Sequence, residues 1–376
     1  MIEVKKVGMD SGLVSMFHRL PYDIYAKDPM WVPSDPTIEA ELYEKKHNPA
    51  LEFSFAERWV AIRDGKCVGR VSAIVNRRWI EKTGDPGGRL CRYDSIDDQE
   101  VARALLSAAE DWLVARGMEQ AVGPLGFSNL DPCGITIEGF DKPATLGSTH
   151  TRDYYEKLWL GSGYEPMQDW DEYSIMLGDD VPESIVQAAD KCEQRTTIRI
   201  SDLQNRIEMR QVGRELFDLF DLTYSPLFGS YPLGDKMHKY YVEQYMTYLD
   251  PRYIYIARES EGHGHRMVGF IVAMPSIVKA LQKCKWKLFP TGWWTLMRAM
   301  HHPKIVEILL AAVHPEVRQL GVLPMMIRRL LSRCVQDGVH EVQTTAILDG
   351  NSKAISSVMH FDAKPRRRKR CYVKNL

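Results

Sequence analysis

The two halves of this chain repeat the same order of predicted elements, and this repeat limits the fold more than any other feature. Each half gives helix, hairpin, strand, long helix, strand, short helix and strand, although the residues themselves do not repeat. In the first half, segments at 58–63 and 67–75 flank Asp64-Gly65, a pair typical of a tight hairpin turn. Apolar residues spaced three and four apart predict a long helix at 97–115, and an apolar segment predicts its counterpart at 325–335. Helices that connect the strands of a partly antiparallel sheet indicate an α/β or α+β fold.

The length of 376 residues suits two domains of ordinary size. Turn residues collect at 178–182, so we predict an N-terminal domain at 1–180 and a C-terminal domain at 181–376. Each domain is expected to be a mixed, mostly antiparallel sheet flanked by helices. The other predicted strands lie at 2–7, 120–124, 173–177, 253–258, 267–274, 306–313, 341–348 and 371–373, and the other helices at 12–25, 154–160, 210–223, 236–249 and 352–360, with a turn at 261–265.

Composition argues against several classes of function. The formal net charge of −1 gives no electrostatic reason to expect nucleic acid or an anionic membrane as a partner. No apolar stretch is long enough to cross a membrane and no signal peptide is visible, so we expect no integral membrane association and a cytoplasmic location. The seven cysteines form no C-x-x-C pair, which favours reduced thiols over a disulfide framework. His301-His302, His263 and His265 lack a third ligand at metal-like spacing, so we expect no metal.

The segment from Val313 to Val322 carries the clearest chemical signal. A strand that we predict to be buried on both faces runs into a short loop containing Gly321, and this loop opens a helix. Such a junction aims several backbone N–H groups at one point, with the positive end of the helix dipole behind them. A pyrophosphate fits this arrangement because it needs hydrogen-bond donors, and a glycine lets it approach the backbone closely.

This segment resembles the acetyl-CoA loop of the GNAT acyltransferase superfamily, V-x-P-x-x-R-x-x-G-x-G/A. Val313, Pro315, Arg318 and Gly321 fall in register, whereas Leu323 stands where the family prefers glycine or alanine. The resemblance implies that acetyl-CoA or another acyl-CoA binds here. The cofactor-binding residues that it implies are Ala311, Val313, Arg318, Gln319, Leu320, Gly321, Val322, Leu323 and Asn351.

Further segments resemble a bacterial subfamily of tandem GNAT proteins, most of which have no defined substrate. The N-terminal half lacks the loop, because residues 95–100 place three carboxylates there, which would repel a pyrophosphate and suit helix capping instead. We therefore expect this half to have lost cofactor binding and to form one wall of the substrate cleft. The resembling segments are 28–33, 48–49, 65–70, 96–102, 139–141 and 287–290.

The resemblance also implies a reaction, in which an amine attacks the thioester directly. The product would be an N-acylated, most simply N-acetylated, small molecule or peptide. Backbone groups of Ala311 and Val313 would pair with the pantetheine amides as an added strand does. Glu307 is the first positional candidate for the base and His314 the second, although a structural carboxylate and a packed histidine are the commoner roles for such residues. Val358 replaces the tyrosine that serves as general acid in many members.

Two other functions stay open at this point. A non-catalytic acyl-CoA or metabolite sensor agrees with Leu323, with Val358 and with the degenerate first half. Transfer of a long acyl chain or an aminoacyl group to an amine is also open, since related tandem folds do both. The insertion at 278–302 carries Trp286, Trp293 and Trp294, which suit a hydrophobic substrate pocket, a membrane-interface segment or a lid on the second sheet.

The basic run at 366–370 has five consecutive cationic residues. We expect it to be a solvated turn before the last strand. The alternatives are contacts with the 3′-phosphate of CoA, with an acidic protein or with RNA.

Overall fold

The computed structural model describes residues 1–259, 266–359 and 362–376, except for the side chain of Lys353. The turn predicted at 261–265, with His263 and His265, lies outside the described residues, as does the end of the helix predicted at 352–360. Within the described part of the chain, each half follows the predicted order of helix, hairpin, strand and long helix.

In the N-terminal half, the predicted hairpin and long helix both form. The hairpin strands pair antiparallel on either side of Asp64-Gly65. The long helix is capped by Asp98, whose side chain accepts the N–H groups of Glu100 and Val101 at 2.9 and 3.2 Å. The elements of this half are β1 Ile2–Lys6, α1 Ser11–Ile24, α2 Pro36–Glu41, β2 Ser54–Arg63, β3 Lys66–Asn76, α3 Arg77–Thr83, β4 Gly87–Ser95, α4 Gln99–Val114, β5 Gln120–Gly123, β6 Ile135–Glu138, α5 Tyr155–Leu160 and β7 Glu165–Met176.

The C-terminal half repeats this arrangement, with one strand divided in two. The strand predicted at 341–348 stops at Thr344, because Thr345 turns back to donate its N–H to the carbonyl oxygen of Ile308 at 3.1 Å. The elements of this half are α6 Glu183–Glu193, β8 Arg199–Asp202, α7 Arg206–Tyr224, α8 Asp235–Tyr245, β9 Ile254–Arg258, β10 Met267–Pro275, α9 Val278–Cys284, α10 Gly292–His301, β11 Ile305–Val313, α11 Val322–Gln336, β12 Glu341–Thr344, β13 Ile347–Leu348, α12 Ser352–Met359 and β14 Lys364–Asn375.

Both halves contribute to one continuous sheet. Its order is β1-β2-β3-β4-β5-β14-β7-β12-β11-β10-β9-β8, while β6 pairs with β14 and β13 with β7. The sheet is mixed and mostly antiparallel, as predicted, and its parallel neighbours are β4 with β5 and β11 with β12. The halves exchange their last strands, because β7 pairs with β12 and β14 pairs with β5. Neither half completes its sheet alone, and the boundary at 180 stays a prediction from the sequence.

Three of the apolar clusters hold the longest helices on the sheet. One surrounds α4 in the N-terminal half and one surrounds α11 in the C-terminal half. The third lies under α7 and α8, and it joins Ile74 and Phe127 of the first half to Phe220 and Phe270 of the second. Because this cluster bridges the two halves, the space beneath α7 and α8 has walls from both.

The basic run at 366–370 is not a solvated turn, and this expectation was wrong. The run lies within β14, which begins at Lys364, and Arg366, Arg367 and Lys369 are buried. The cause is the neighbouring strand β7, which presents carboxylates to both faces of β14. On one face Glu172 meets the buried cations, and on the other Asp169 bonds the Arg368 and Arg370 guanidinium groups at 2.7 to 2.9 Å.

The insertion at 278–302 folds into α9 and α10. Trp286 packs against the bridging cluster and donates its indole N–H to the carbonyl oxygen of Pro33 at 2.9 Å. Trp293 and Trp294 are instead 48% and 61% exposed on α10. None of the described helices is both long and apolar enough to cross a bilayer.

Candidate functional site

Strands β11 and β12 run side by side at one end and separate at the other. They pair in parallel only from Ile305 to Ile308, opposite Glu341 to Thr344. Beyond that point β11 keeps β10 as its neighbour as far as Val313, whereas β13 pairs with β7. One edge of β11 therefore faces a gap in the sheet instead of another strand.

Side chains occupy the backbone groups of β11 that face this gap. The Thr345 hydroxyl donates to the carbonyl oxygen of Leu309 at 3.0 Å, and Arg318 Nε donates to that of Val313 at 3.1 Å. Between them, the Tyr224 hydroxyl donates to the Ala311 carbonyl oxygen at 3.0 Å and accepts the Ala311 N–H at 3.3 Å. These alternate residues present a strand edge that an extended ligand can pair with once the side chains move aside.

The loop after β11 is a 3₁₀ helix at Pro315–Leu320, more regular than the open junction expected from the sequence. His314, the residue before this helix, accepts two of its amides, the N–H of Val317 on the His314 carbonyl oxygen at 3.1 Å and the N–H of Glu316 on Nδ1 at 3.4 Å. Gly321 then adopts φ +75°, and a Cβ there would lie 1.9 Å from Cys192 Sγ. No other residue fits, so glycine sets the turn into α11.

Helix α11 starts at Val322, and no side chain in the described part of the chain caps its first turn. Its leading N–H groups and the positive end of its dipole are therefore available to an anion. Pro324 in that turn has no N–H to satisfy. The anion site predicted from the sequence thus rests on the helix start more than on the preceding loop.

A cavity of ≈ 1410 Å³ opens between β11 and β12 and continues beneath α7 and α8. Most of its lining is apolar or aromatic. The N-terminal half contributes a wall at 129–133 and 145–148, which agrees with the predicted cleft between the halves. Representative apolar lining residues are Leu130, Val212, Leu216, Tyr245, Leu309 and Leu310.

Comparison with known proteins places this geometry in a fold family. No protein-family model matches the chain. Protein YghO of Escherichia coli K12 is 25% identical over 370 residues, which span 96% of this chain and 92% of that protein. Bacterial ceramide synthase of Caulobacter vibrioides is 28% identical over 290 residues, which span 75% of this chain and 72% of the relative.

The structural comparison is decisive for the architecture. A tandem GNAT protein from the clavulanic acid biosynthesis pathway covers 100% of this chain and 98% of its own, with a TM-score of 0.57 at 12% identity. The chain has a tandem GNAT fold. At this identity the likeness establishes the fold and leaves the reaction to be argued from the site.

Most residues implied by the GNAT loop meet at the cavity. Those that line it are Ala311, Val313, Arg318, Gln319, Gly321, Leu323 and Asn351. Leu320 and Val322 do not: Leu320 is 40% exposed, and Val322 is buried in the cluster around α11. Asn351 caps the start of α12, because its Oδ1 accepts the N–H of Ala354 at 3.3 Å.

The two residues expected to act as a base do not line the cavity that opens between β11 and β12. Glu307 is fully buried, where its carboxylate accepts the N–H of Leu146 at 2.8 Å and the hydroxyl of Ser276. Burial raises the pKa of Glu307, although these hydrogen bonds oppose the shift. His314 is half-buried, and its Nδ1 lies 3.5 Å from a Glu316 carboxylate oxygen.

A carboxylate that sequence reasoning missed does line the cavity. Asp131, in the wall from the N-terminal half, accepts the N–H of Ser128 at 3.2 Å. Burial raises the pKa of its carboxyl, and the nearby Arg92 guanidinium opposes that shift. Tyr224 was missed as well. Neither residue belongs to a motif, and each reaches the site through contacts between distant parts of the chain.

The N-terminal GNAT unit fills the equivalent position with its own side chains. At the end of β4, Asp94 accepts hydrogen bonds from Arg70 Nε at 2.7 Å and from the hydroxyls of Tyr25 and Tyr155 at 3.1 Å each. All four residues are buried. This packing supports the expectation that the first half has lost cofactor binding.

One cluster bears on the expected lack of a metal. Ligand atoms of Asp218, Asp235 and His238, on α7 and α8, all lie within 4.8 Å of one another, and none of the three residues lines the cavity. Two of the three already have an oppositely charged or hydrogen-bonding neighbour outside the cluster, because Arg214 lies 3.5 Å from Asp235 and Asp221 lies 2.8 Å from His238 Nε2. These contacts account for the cluster as a charged contact between two helices.

Proposed function

We propose that this chain is an acyl-CoA-dependent N-acyltransferase whose cofactor binds to the C-terminal GNAT unit. The observation that carries this proposal is the open edge of β11, whose backbone at Leu309, Ala311 and Val313 is contacted only by side chains in the described structure. A pantetheine arm pairs with such an edge through its amides. Its pyrophosphate then lies at the uncapped start of α11, beside Gly321.

The chain contributes position and electrostatics to the reaction. The amine nitrogen attacks the thioester carbonyl carbon, the C–S bond breaks, and CoA leaves as a thiol after the amine proton is transferred. A backbone N–H of β11 is suited to stabilise the carbonyl oxygen as charge develops on it. Asp131 is the carboxylate of the cavity best suited to take the amine proton, because burial raises its pKa towards the range of a useful base.

The acyl group that fits this cavity is a long one. The space of ≈ 1410 Å³ continues past the gap between β11 and β12 along apolar residues of α7 and α8. Apolar cavities of this size bind apolar chains chiefly by removing them from water. The relative from Caulobacter vibrioides, named bacterial ceramide synthase, supports transfer of a long acyl chain to a lipid amine more than N-acetylation of a small polar molecule.

The test is amine-dependent release of CoA thiol from acetyl-CoA, a medium-chain acyl-CoA and palmitoyl-CoA, together with calorimetric titration of CoA. We expect binding of CoA and turnover that is fastest with a long donor. Leu323→Trp, which adds bulk at the mouth of the gap, should abolish binding. Leu320→Trp is its matched control, because Leu320 lies three residues away on the exposed side. Absence of CoA binding in the wild type, or equal loss in both variants, removes the proposal.

A second function keeps some support, because neither Glu307 nor His314 reaches the cavity and Val358 stands in place of the tyrosine. This function is a non-catalytic acyl-CoA sensor. The same assay separates the two, since a sensor binds CoA and long acyl-CoA but releases no thiol with any amine. Asp131→Asn discriminates further, because it should slow an enzyme while leaving ligand binding to a sensor unchanged.

A further inference from the structure

The exchanged strands β7 and β14 bury an excess of positive charge at the centre of the sheet. On their inward face Arg367 lies opposite Glu172, and Lys369 lies opposite Trp170. Glu172 is fully buried and is the shared partner of three cations. Its carboxylate oxygens lie 3.3 Å from Arg366 Nη1, 3.7 Å from Arg367 Nη1 and 4.0 Å from Lys369 Nζ.

Neighbouring groups do not cancel this charge. Glu307 is another carboxylate near Arg366, and burial raises its pKa. Together Glu172 and Glu307 balance at most two of the three cations. Arg367 Nη2 donates to Thr136 Oγ1 and to the carbonyl oxygen of Thr149, but its Nε and Nη1 find no hydrogen-bond partner among the described residues. A buried charge without a counter-ion is costly, so this arrangement favours binding of an anion.

Lys369 is the member of the group that meets the cavity. Its side chain is 1% exposed to bulk solvent and lines the cavity beside Trp170. None of the hydrogen bonds in the described part of the chain involves its Nζ, although an ammonium carries three donors. The two arginines do not line the cavity. Lys369 is therefore the cation that a bound ligand reaches first.

This ammonium lies close to the gap between β11 and β12. Glu172 accepts the Ser148 hydroxyl at 2.6 Å, and Ser148 lines the cavity next to Gly147. A Cβ on Gly147 would lie 3.5 Å from Thr345 Cγ2, and Thr345 bonds the carbonyl oxygen of Leu309 on β11. Ser148, Thr345 and Lys369 thus line the same cavity as the open strand edge, and Ser148 and Lys369 share Glu172 as a partner.

We propose that Lys369 forms an anion-binding subsite for the amine acceptor, which carries a carboxylate or a phosphate monoester in addition to its amine. This inference rests on the proposed N-acyltransferase function. The ligand anion supplies the missing negative charge and accepts the Lys369 N–H groups, while the amine of the same molecule points towards the thioester at β11. A neutral lipid amine of the same length leaves the buried ammonium with the shared Glu172 carboxylate, 4.0 Å away, as its counter-ion.

Three amines of equal chain length test the subsite: a long-chain amino alcohol, its phosphate monoester and the corresponding α-amino acid. With palmitoyl-CoA as donor, we expect the wild type to favour one of the anionic amines over the neutral amine by about tenfold or more in kcat/KM. The preferred anionic amine identifies carboxylate or phosphate as the natural group. Lys369→Met should abolish the preference, by lowering kcat/KM for the anionic amines to that for the neutral amine, whereas Lys369→Arg should retain it in part.

Lys364→Met is the matched control, because Lys364 is an exposed lysine of the same strand, and it should keep the wild-type preference. The proposal is overturned if the wild type turns over the neutral amine with the same kcat/KM as both anionic amines. It is also overturned by a Lys369→Met variant that loses activity equally with all three amines, since that result indicates a structural role. If Lys369→Met does not fold, two other results overturn the proposal. One is complete loss of the preference in Lys369→Arg, and the other is failure of the phosphate monoester and the amino acid to outcompete the neutral amine on the wild type.

Equilibrium dialysis of the three amines, without an acyl donor, separates this inference from the proposed function. Binding of an anionic amine that depends on Lys369 but is followed by no turnover retains the subsite and removes the enzyme. Turnover of the anionic amines that Lys369→Met leaves unchanged retains the enzyme and removes the subsite.

Discussion

The hydroxyl of Tyr224 bonds both backbone groups of Ala311, with its oxygen 3.0 Å from the carbonyl oxygen and 3.3 Å from the amide nitrogen. One side chain at the end of α7 therefore occupies the place on β11 where the amides of a pantetheine arm would pair. Burial raises the pKa of this hydroxyl, so it stays protonated and keeps its donor. These two contacts satisfy the hydrogen bonds of the Ala311 backbone in the free protein, and a ligand that pairs with this strand edge has to displace them.

Removing that hydroxyl should weaken the free protein and strengthen ligand binding. Tyr224→Phe leaves the Ala311 groups without partners until a ligand supplies them, so we expect the free energy of unfolding to fall by about 1 kcal/mol and acyl-CoA to bind up to about tenfold more tightly. Chemical denaturation and calorimetric titration measure the two effects. Tyr248→Phe is the control, because its hydroxyl bonds Asp35 elsewhere in the cavity, and it should give no gain in affinity. Weaker acyl-CoA binding by Tyr224→Phe would show that the hydroxyl contacts the ligand and is not displaced.

Gly321 should be intolerant of any side chain for two separable reasons. Its φ of +75° costs a residue with a Cβ about 1–2 kcal/mol, and overlap with Cys192 Sγ at 1.9 Å adds about 1–3 kcal/mol more. Gly338→Ala isolates the first cost, since Gly338 has a φ of +68° and nothing within 4 Å of the added Cβ. In urea denaturation we expect Gly321→Ala to have a much lower free energy of unfolding than Gly338→Ala. Only Gly321→Ala should lose CoA binding. Equal stabilities would contradict the contact with Cys192.

Local signals account for what the sequence predicted correctly. Asp64-Gly65 and Asp98 act within a few residues of themselves, so their hairpin and helix cap follow from the sequence. The loop at 313–321 was recognisable for the same reason. The exchange of β7 and β14 was not, because it depends on pairing between segments that are far apart in the chain.

The missed site residues have the same origin. Tyr224 is 87 residues from Ala311, and Arg366 is 194 residues from Glu172. A run of five basic residues predicts solvation unless the carboxylates that neutralise it are known. For Glu307, sequence position suggested a role that the contacts do not favour. Its place on the strand before the loop suggested a base, but the side chain bonds Ser276 and Leu146 and does not line the cavity. A catalytic role for Glu307 stays a prediction.

The buried Glu307 should make the stability of the protein depend on pH. Because its folded-state pKa is raised above the ordinary value of 4.5, the folded state binds more protons than the unfolded state above that pH. The free energy of unfolding therefore falls as pH rises from about 4.5 through the folded-state pKa. Glu307→Gln keeps an acceptor for the Leu146 N–H and should remove this part of the pH dependence. Denaturation at several pH values measures it, and Glu165→Gln, at an exposed site, should leave the profile unchanged. A Glu307→Gln profile parallel to that of the wild type would mean that Glu307 does not titrate differently on folding.

The length of the acyl donor should be set by the part of the cavity beneath α7. Val212 is half-buried and lines that part, whereas its neighbour Gln211 is exposed and points away. Val212→Trp should therefore shorten the apolar space and lower kcat/KM for palmitoyl-CoA by about tenfold or more, because several methylene groups lose their burial. Turnover of acetyl-CoA, measured with the same amine, should change by less than about twofold, since a short acyl group ends before Val212. Gln211→Trp places the same ring on the same helix outside the cavity, so it should leave both donors unaffected. Equal loss of both donors in Val212→Trp would place the long chain elsewhere, and an unchanged rate with palmitoyl-CoA would leave this cavity without a role in donor selection.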